Sequence, residues 1–201
     1  MNRNDRINLS AVQEALRLCE KYLNIPISDF IACGDYGCVF TTGDASKILK
    51  VGMHWNEYHI AKYLLDNKNT LHSKFPKIYG VWNLDSCYSK DPFYAILREN
   101  LEDITSIDRD WFDVATSRLE SQGEKVLDQL VPEAKIRDIA LKILESNSNR
   151  INENLEFEKF VDFYIECLHN KILITDLATN FGQRTDGTIV LRDLGGVYLL
   201  K

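Results

Sequence analysis

The sequence predicts an α+β fold with two lobes. Apolar alternation between turn residues indicates about five strands in the first hundred residues, with a helix inserted after the third strand. The remaining residues carry helical spacing and then a terminal β-hairpin. Strands and helices that are segregated along a chain are typical of the α+β class. We therefore expect an N-terminal helix and a five-stranded antiparallel sheet over 1–99, and a reduced helical lobe over 100–201.

Seven elements are predicted in the first lobe: a helix, three strands, a second helix and two further strands. In chain order they span 8–24, 29–33, 38–42, 47–51, 55–67, 77–82 and 92–100. The first three strands form a meander, and its first turn contains Gly34 and Gly37. Glycine inside a strand-like run usually indicates a tight turn, a bulge or a backbone that something approaches closely.

The second lobe is predicted to be mainly helical. Residues 100–131 are mixed in character, and we expect a connector with at least one short helix there. Pro132 suits the start of a helix, and a more hydrophobic helix is predicted over 157–170. Asp186 and Gly187 are a turn signal between two short apolar runs, which predicts the terminal hairpin.

Composition and charge favour a cytoplasmic globular protein. The net charge is −6, from 24 basic and 30 acidic residues, and no cluster of Lys and Arg is long enough to predict direct nucleic-acid binding. The N-terminal residues are polar where a signal peptide would be apolar, and no apolar run is long enough to cross a membrane.

The cysteines are predicted to be reduced thiols, because five cysteines are an odd number in a chain large enough to fold without disulfides. Cys33 and Cys38 together with His54 and His59 lack the spacing of common zinc sites, so we expect small buried residues there rather than a metal site.

The stretch IACGDYGCVF, residues 31–40, resembles the glycine-rich loop of protein kinases. Ala32 replaces the first glycine, whereas Gly34, Gly37 and Val39 stand where the motif expects them. In that family the loop is a hairpin turn that covers the ATP phosphates with its backbone amides. The resemblance implies nucleotide contacts from these three residues, and a hairpin turn without a ligand is the alternative.

Lys50, in the strand KILKV, is similar to the kinase lysine that contacts the α and β phosphates. Glu57 on the following helix is the candidate for its ion-pair partner, although the separation of seven residues is shorter than in ordinary kinases. Glu99 corresponds to the hinge position of the family. The alternative is a solvent-facing Lys50 and a Glu57 on a solvated helix face.

The stretch CLHNKILITDLATNFG, residues 167–182, resembles the kinase catalytic loop and the helix before it. Asp176 stands at the catalytic position and Asn180 at the metal-ligand position, while Asp193 begins a D-L-G element similar to D-F-G. The resemblance implies that Asp193 and Asn180 hold Mg2+ and that Asp176 orients or deprotonates the acceptor hydroxyl.

The sequence departs from the kinase pattern in several places. Three residues separate Asp176 from Asn180 where the family has four, and Ile174 and Thr175 replace the histidine and arginine before the catalytic aspartate. The sequence continues for only six residues after Gly195, without an activation loop or an A-P-E element. This pattern is similar to the short kinase-like proteins of bacteriophages, whose C-terminal lobe is truncated, and the resemblance covers roughly residues 28–198.

The resemblance implies a phosphotransferase that uses ATP and Mg2+, namely a minimal Ser/Thr protein kinase whose partner is a cytoplasmic protein such as host machinery. The alternatives are a kinase-fold binding module or inhibitor that has lost phosphate transfer, a small-molecule kinase, and an unrelated α+β domain. The short loop and the missing activation segment favour the binding module, whereas the retained Lys, Asp, Asn and Asp favour the enzyme.

Overall fold

The computed structural model describes residues 9–34, 37–67, 73–84, 93–127, 133–177 and 180–200. The chain divides into two compact units. The first comprises Met1–Lys68 and Pro76–Asn100, and the second comprises Asn69–Phe75 and Leu101–Lys201. Unlike the expected split into 1–99 and 100–201, this division assigns a short segment before the fourth strand to the second unit.

The described residues of the first unit form a five-stranded antiparallel sheet, which confirms the predicted α+β class and sheet. Along the sheet the strands are β1 (Ile27–Cys33), β2 (Gly37–Thr42), β3 (Lys47–Gly52), β5 (Phe93–Glu99) and β4 (Ile78–Leu84). Helix α2 (Trp55–Asp66) follows β3 and packs against β4 and β5. Strands β1, β2 and β3 follow one another closely along the chain, as the apolar stretches between turn residues predict.

One face of this sheet is covered by the N-terminal helix α1 (Leu9–Leu18), which continues into a π-helical turn over Cys19–Leu23. Val12, Ala15 and Cys19 are buried in the same cluster as apolar side chains of β2, β3 and β5. Asn24 then adopts a left-handed conformation with φ 52°, which ends the helical stretch. Because alternate strand residues face opposite sides, Lys50 in β3 lies on the other face of the sheet.

The described residues of the second unit form three helices and two small sheets. The helices are α3 (Arg109–Leu127), α4 (Glu133–Glu145) and α5 (Ile151–His169). Strands β6 (Ile172–Ile174) and β9 (Val197–Leu199) form one antiparallel pair, and β7 (Phe181–Gln183) and β8 (Ile189–Leu191) form the other. The β7–β8 pair confirms the predicted hairpin, and Gly187 supplies its turn with φ 86°.

Helix α3 corrects the expectation of a connector with a short helix over 100–131, because it is 19 residues long. Among the side chains that the structure describes, its buried face includes Phe112, Ala115, Thr116 and Leu119, which keep the spacing of a helix face. The face is narrow and includes a threonine, so hydrophobic periodicity alone does not reveal the helix. The Asp108 carboxylate accepts a hydrogen bond from the Trp111 amide at 3.1 Å and caps the N-terminus of the helix.

Aromatic side chains form the centre of the second unit. Phe160 of α5 packs at ring-centroid distances of 6.2 Å against Phe112 and 5.3 Å against Phe181, so it joins α5 to α3 and to the hairpin. Phe75 packs edge-on against Phe163 at 5.0 Å. The Leu191 amide also donates to the Lys74 carbonyl at 2.8 Å, which explains why the segment before β4 belongs to this unit.

The prediction of reduced thiols is wrong for Cys33 and Cys38. They face each other across the β1–β2 ladder and form a disulfide. The number of cysteines does not predict this bond, because it depends on the register of the two strands. Cys19 and Cys167 are free and buried. Burial raises the pKa of the Cys19 thiol to about 12 and raises the pKa of the Cys167 thiol as well. Cys87 lies outside the described residues.

In the part of the chain that the structure describes, none of the helices has the length and apolar character that a membrane crossing requires.

Phe160→Ala tests the aromatic centre of the second unit. We expect the substitution to lower the free energy of unfolding by about 3–5 kcal/mol, because it removes a buried ring and leaves a cavity. Ile151→Ala on the same helix is the matched control, since Ile151 is 77% exposed and its loss should change stability by less than about 0.5 kcal/mol. Urea unfolding followed by circular dichroism measures both variants, and equal effects would contradict the assignment of Phe160 to the core.

Candidate functional site

The glycine-rich turn belongs to the candidate site residues of the first unit. The Gly34 amide donates a hydrogen bond to the Gly37 carbonyl at 2.9 Å and joins the end of β1 to the start of β2, while Asp35 and Tyr36 lie outside the described residues. At Gly34 an added Cβ would meet nothing within 4 Å. At Gly37 it would lie 3.1 Å from Lys50 Cε and 3.1 Å from the Val51 carbonyl oxygen. Gly37 therefore leaves room for the Lys50 side chain.

Lys50 lies in the middle strand of the five-stranded sheet, between Val39 of β2 and Ile96 of β5. Directly paired residues of antiparallel strands share a face, so these three side chains stand on the face opposite α1. The Lys50 side chain is only 10% exposed. A lysine buried to this extent requires a partner for its ammonium group.

Glu57 provides that partner, which confirms the predicted ion pair. Lys50 Nζ lies 2.8 Å from Glu57 Oε1, and the Glu57 side chain is 2% exposed. The other carboxylate oxygen accepts a hydrogen bond of 2.6 Å from the Tyr94 hydroxyl. Helix α2 begins soon after β3, so the short separation of seven residues still brings its first turn to the lysine. The alternative of two solvent-facing residues is wrong for both side chains.

Tyr94 also belongs to this group, although the sequence motifs did not point to it. Its ring is fully buried, and it lies in β5 opposite Gly52 of β3. A buried tyrosine hydroxyl usually needs a polar partner. Its hydrogen bond to Glu57 fixes the carboxylate that in turn holds Lys50.

Glu99 stands at the end of β5, the position predicted for the hinge. Its backbone amide donates to the Lys77 carbonyl at 2.9 Å, and its carboxylate accepts the Lys77 amide at 3.1 Å. The side chain therefore secures the start of β4 against the end of β5.

In the second unit, Asp176 follows β6 in a loop that β9 supports. The Thr175 amide donates to the Gly196 carbonyl at 2.8 Å. An added Cβ on Gly196 would lie 2.5 Å from Asp176 Cβ and 2.9 Å from the Asp176 amide nitrogen, so only glycine fits against this loop. The Asp176 side chain is exposed. The loop thus presents a carboxylate to solvent while its backbone is fixed.

Asn180 closes the short loop. Its side-chain amide nitrogen donates a hydrogen bond of 3.0 Å to the Asp176 carbonyl, so its amide oxygen is directed away from that carbonyl. Ala178 and Thr179, between the two, lie outside the described residues. The loop is one residue shorter than the family pattern, and Asn180 nevertheless reaches the backbone of Asp176.

Asp193 is joined to the same loop through the backbone. The amide of Arg192 donates to the Asn180 carbonyl at 2.5 Å, and Gly196, three residues after Asp193, contacts Asp176. One carboxylate oxygen of Asp193 accepts the Gly195 amide at 2.9 Å. The second unit therefore brings together the three residues that the resemblance assigns to catalysis and to metal binding.

Arg192 is a further residue that the sequence motifs did not single out. Its guanidinium donates to the Glu102 carbonyl at 2.6 Å and to the Asp103 carboxylate at 2.9 Å. This contact lowers the pKa of Asp103. Gly182 leaves room for the arginine, because an added Cβ would lie 2.8 Å from Arg192 Nε. The arginine thereby ties the residue before Asp193 to the segment before α3.

Oxygen ligands for a hard cation are available at this loop, from the Asp193 carboxylate and the Asn180 amide. Mg2+ commonly binds through one or two protein oxygens and completes its shell with water and phosphate oxygens. Among the described residues no group of three or more His, Cys, Asp or Glu side chains could form a complete metal cage, and the Cys33, Cys38, His54 and His59 set gives none.

A groove of about 260 Å³ lies between α4 and α5 and includes Ala140, Leu144 and Val161 in its lining. None of the residues that line it is a predicted site residue. The groove and the candidate site therefore share no residue.

No protein-family model matches the sequence, and no curated protein matches it.

Lys50→Met tests the buried ion pair. We expect the free energy of unfolding to fall by about 3–5 kcal/mol, because Glu57 would keep a buried charge without its ammonium partner. The double variant Lys50→Met with Glu57→Gln should recover part of this loss, since neither charge then remains. Lys47→Met on the same strand is the control, because its bridge to Asp44 is solvent-exposed and should contribute little to stability. A loss for Lys50→Met no larger than the control would contradict the pair.

Proposed function

We propose that the chain is a phosphotransferase that uses ATP and Mg2+, with a protein-kinase-like fold, and that it acts as a minimal Ser/Thr protein kinase on a protein partner. The observation that carries the proposal is the buried Lys50–Glu57 ion pair beside Gly37. A lysine that a carboxylate holds on a sheet, next to a glycine-rich hairpin turn, is the arrangement with which kinases bind ATP phosphates.

The roles of the first-unit residues follow from their geometry. Glu57 and Tyr94 hold the Lys50 ammonium group in one position, so the lysine can contact α and β phosphate oxygens without a further ordering cost. Gly34 and Gly37 present backbone without side chains, which permits close approach to an anion. Val39 provides apolar surface next to Lys50 for the nucleotide. Glu99 occupies the hinge position at the end of the sheet.

The second-unit residues supply the remaining chemistry. Asp193 and Asn180 offer the hard oxygen donors that Mg2+ prefers, and bound Mg2+ would neutralise phosphate charge. Asp176 is exposed on a fixed backbone, so its carboxylate can orient the acceptor hydroxyl and take its proton. The γ-phosphorus would then bond to the acceptor oxygen as its bond to the ADP oxygen breaks.

A second candidate function is a kinase-fold binding module or inhibitor that does not transfer phosphate. It is favoured by the loop of three residues between Asp176 and Asn180 and by Thr175 in place of the arginine of the family. The hydrogen bond from Asn180 to the Asp176 carbonyl favours the enzyme, because the short loop still positions Asn180.

Transfer of labelled γ-phosphate from ATP with Mg2+, onto the protein itself and onto a bacterial lysate, separates the two candidates. We expect Asp176→Ala to reduce the rate by about 10²- to 10⁴-fold through loss of proton transfer and orientation. Asp193→Asn should reduce it by about 10²-fold or more, through loss of a charge that holds the metal. Asp138→Asn, an exposed change on α4, should leave the rate unchanged.

Absence of label from folded wild-type protein, with ATP binding retained, would reject the enzyme and support the binding module. Label that persists in both site variants would instead reject the assignment of Asp176 and Asp193.

Gly37→Ala and Gly34→Ala form a matched pair that tests the nucleotide site independently of phosphate transfer. An added methyl at Gly37 meets the Lys50 side chain, whereas at Gly34 it meets nothing within 4 Å. We expect Gly37→Ala to weaken ATP binding by about tenfold, equivalent to about 1.4 kcal/mol, and Gly34→Ala to weaken it less. Isothermal titration calorimetry measures both dissociation constants. A larger loss at Gly34 would show that the turn itself, rather than room for Lys50, decides nucleotide affinity.

A further inference from the structure

Helix α3 carries a glutamate, Glu120, on the side of its buried face. Glu120 follows Phe112, Thr116 and Leu119 at the spacing of the buried helix face and is itself half-buried. A carboxylate on this side of a helix loses hydration unless a hydrogen-bond donor meets it. Its position therefore requires a polar contact.

That contact lies beside the candidate catalytic residue. Glu120 Oε2 accepts a hydrogen bond of 3.0 Å from the backbone amide of Leu177, the residue directly after Asp176. The Leu177 side chain is fully buried, so the backbone at this point is held both by packing and by a charge-assisted hydrogen bond.

The Asp176 backbone is thus fixed on both sides. Before it, the Thr175 amide is bonded to the Gly196 carbonyl, and after it, the Leu177 amide is bonded to Glu120. The Asp176 carbonyl accepts a hydrogen bond from the Asn180 side-chain amide. Asp176 has a short side chain that is itself exposed, so the direction of its carboxylate depends on this backbone.

We propose that Glu120 is a positioning residue for the phosphotransferase reaction: through the Leu177 amide it holds the loop that aims the Asp176 carboxylate at the acceptor hydroxyl. This inference rests on the proposed function. Glu120 contacts the loop backbone at Leu177. Its loss should affect turnover and leave the KM for ATP unchanged, because displacement of a catalytic group by about 1 Å can cost about 10²-fold in rate.

A series of three substitutions separates the hydrogen bond from charge and bulk. Glu120→Gln keeps an acceptor oxygen at the same reach, whereas Glu120→Asp keeps the charge and is one methylene too short to reach the Leu177 amide. Glu120→Ala removes both. We expect kcat to fall by about 10- to 100-fold in the Asp and Ala variants and to stay within about threefold of wild type in the Gln variant. The KM for ATP should stay within about twofold in all three.

Hydrogen exchange of the Leu177 amide provides a readout that does not need activity. Exchange should accelerate in the Asp and Ala variants and stay slow in the Gln variant, with Glu145→Ala, an exposed change at the end of α4, as the control for both readouts. Circular dichroism confirms that each variant is folded, and Glu120→Asp preserves the comparison if Glu120→Ala does not fold.

Results that contradict the proposed function differ from results that contradict the role of Glu120. Wild-type protein without phosphate transfer would reject the proposed function itself. Active wild type with an unchanged kcat in the Asp and Ala variants would reject the role of Glu120 alone. A raised KM for ATP at constant kcat, or loss of activity in the Gln variant equal to that in the Ala variant, would also overturn it.

Discussion

The buried Lys50–Glu57 ion pair is the constraint on which the first unit depends. An ammonium group with 10% exposure and a carboxylate with 2% exposure are tolerated only together, so strand β3 and helix α2 must keep the spacing that joins them. The Tyr94 hydroxyl donates a hydrogen bond to the second oxygen of the Glu57 carboxylate. Gly37 has no side chain and therefore leaves room for Lys50. The same contacts that stabilise the sheet therefore also hold a positive charge in one orientation, which is the requirement for a preorganised phosphate contact.

Backbone hydrogen bonds perform the corresponding task in the second unit. The strands β6 and β9 are only three residues long, yet they fix where the Asp176 loop leaves the sheet and where the D-L-G element enters it. The hydrogen bond from the Arg192 amide to the Asn180 carbonyl links the loop that contains Asp176 to the D-L-G element. Side chains outside the proposed chemistry, Glu120 and Arg192, attach these loops to α3 and to the segment before it. These contacts therefore hold the short irregular loops in a defined conformation.

Much of the sheet and the ion pair could be predicted from the sequence, whereas several supporting contacts could not. Alternation and turn residues predicted the five strands and the hairpin, and the motif resemblance predicted that Glu57 meets Lys50. The sequence predicted only a short helix where the 19-residue helix α3 lies, because the described part of its buried face is narrow and includes Thr116. The pairing of β6 with β9 and the Cys33–Cys38 disulfide depend on register between strands, which local pattern does not contain. The reason for Gly37 is a lysine on the neighbouring strand and is visible only in three dimensions. The kinase-like fold and the catalytic roles remain predictions.

The most direct test of the central claim is nuclear magnetic resonance of the isotope-labelled protein titrated with ATP and Mg2+, followed by replacement of Mg2+ with paramagnetic Mn2+. We expect ATP to shift the amide signal of Gly37 and the side-chain signals of Lys50, and Mn2+ with ATP to broaden the signals of Asn180 and Asp193. ATP at millimolar concentration that shifts none of these signals, or Mn2+ that broadens other residues and leaves Asn180 and Asp193 unchanged, would contradict the proposed nucleotide and metal site.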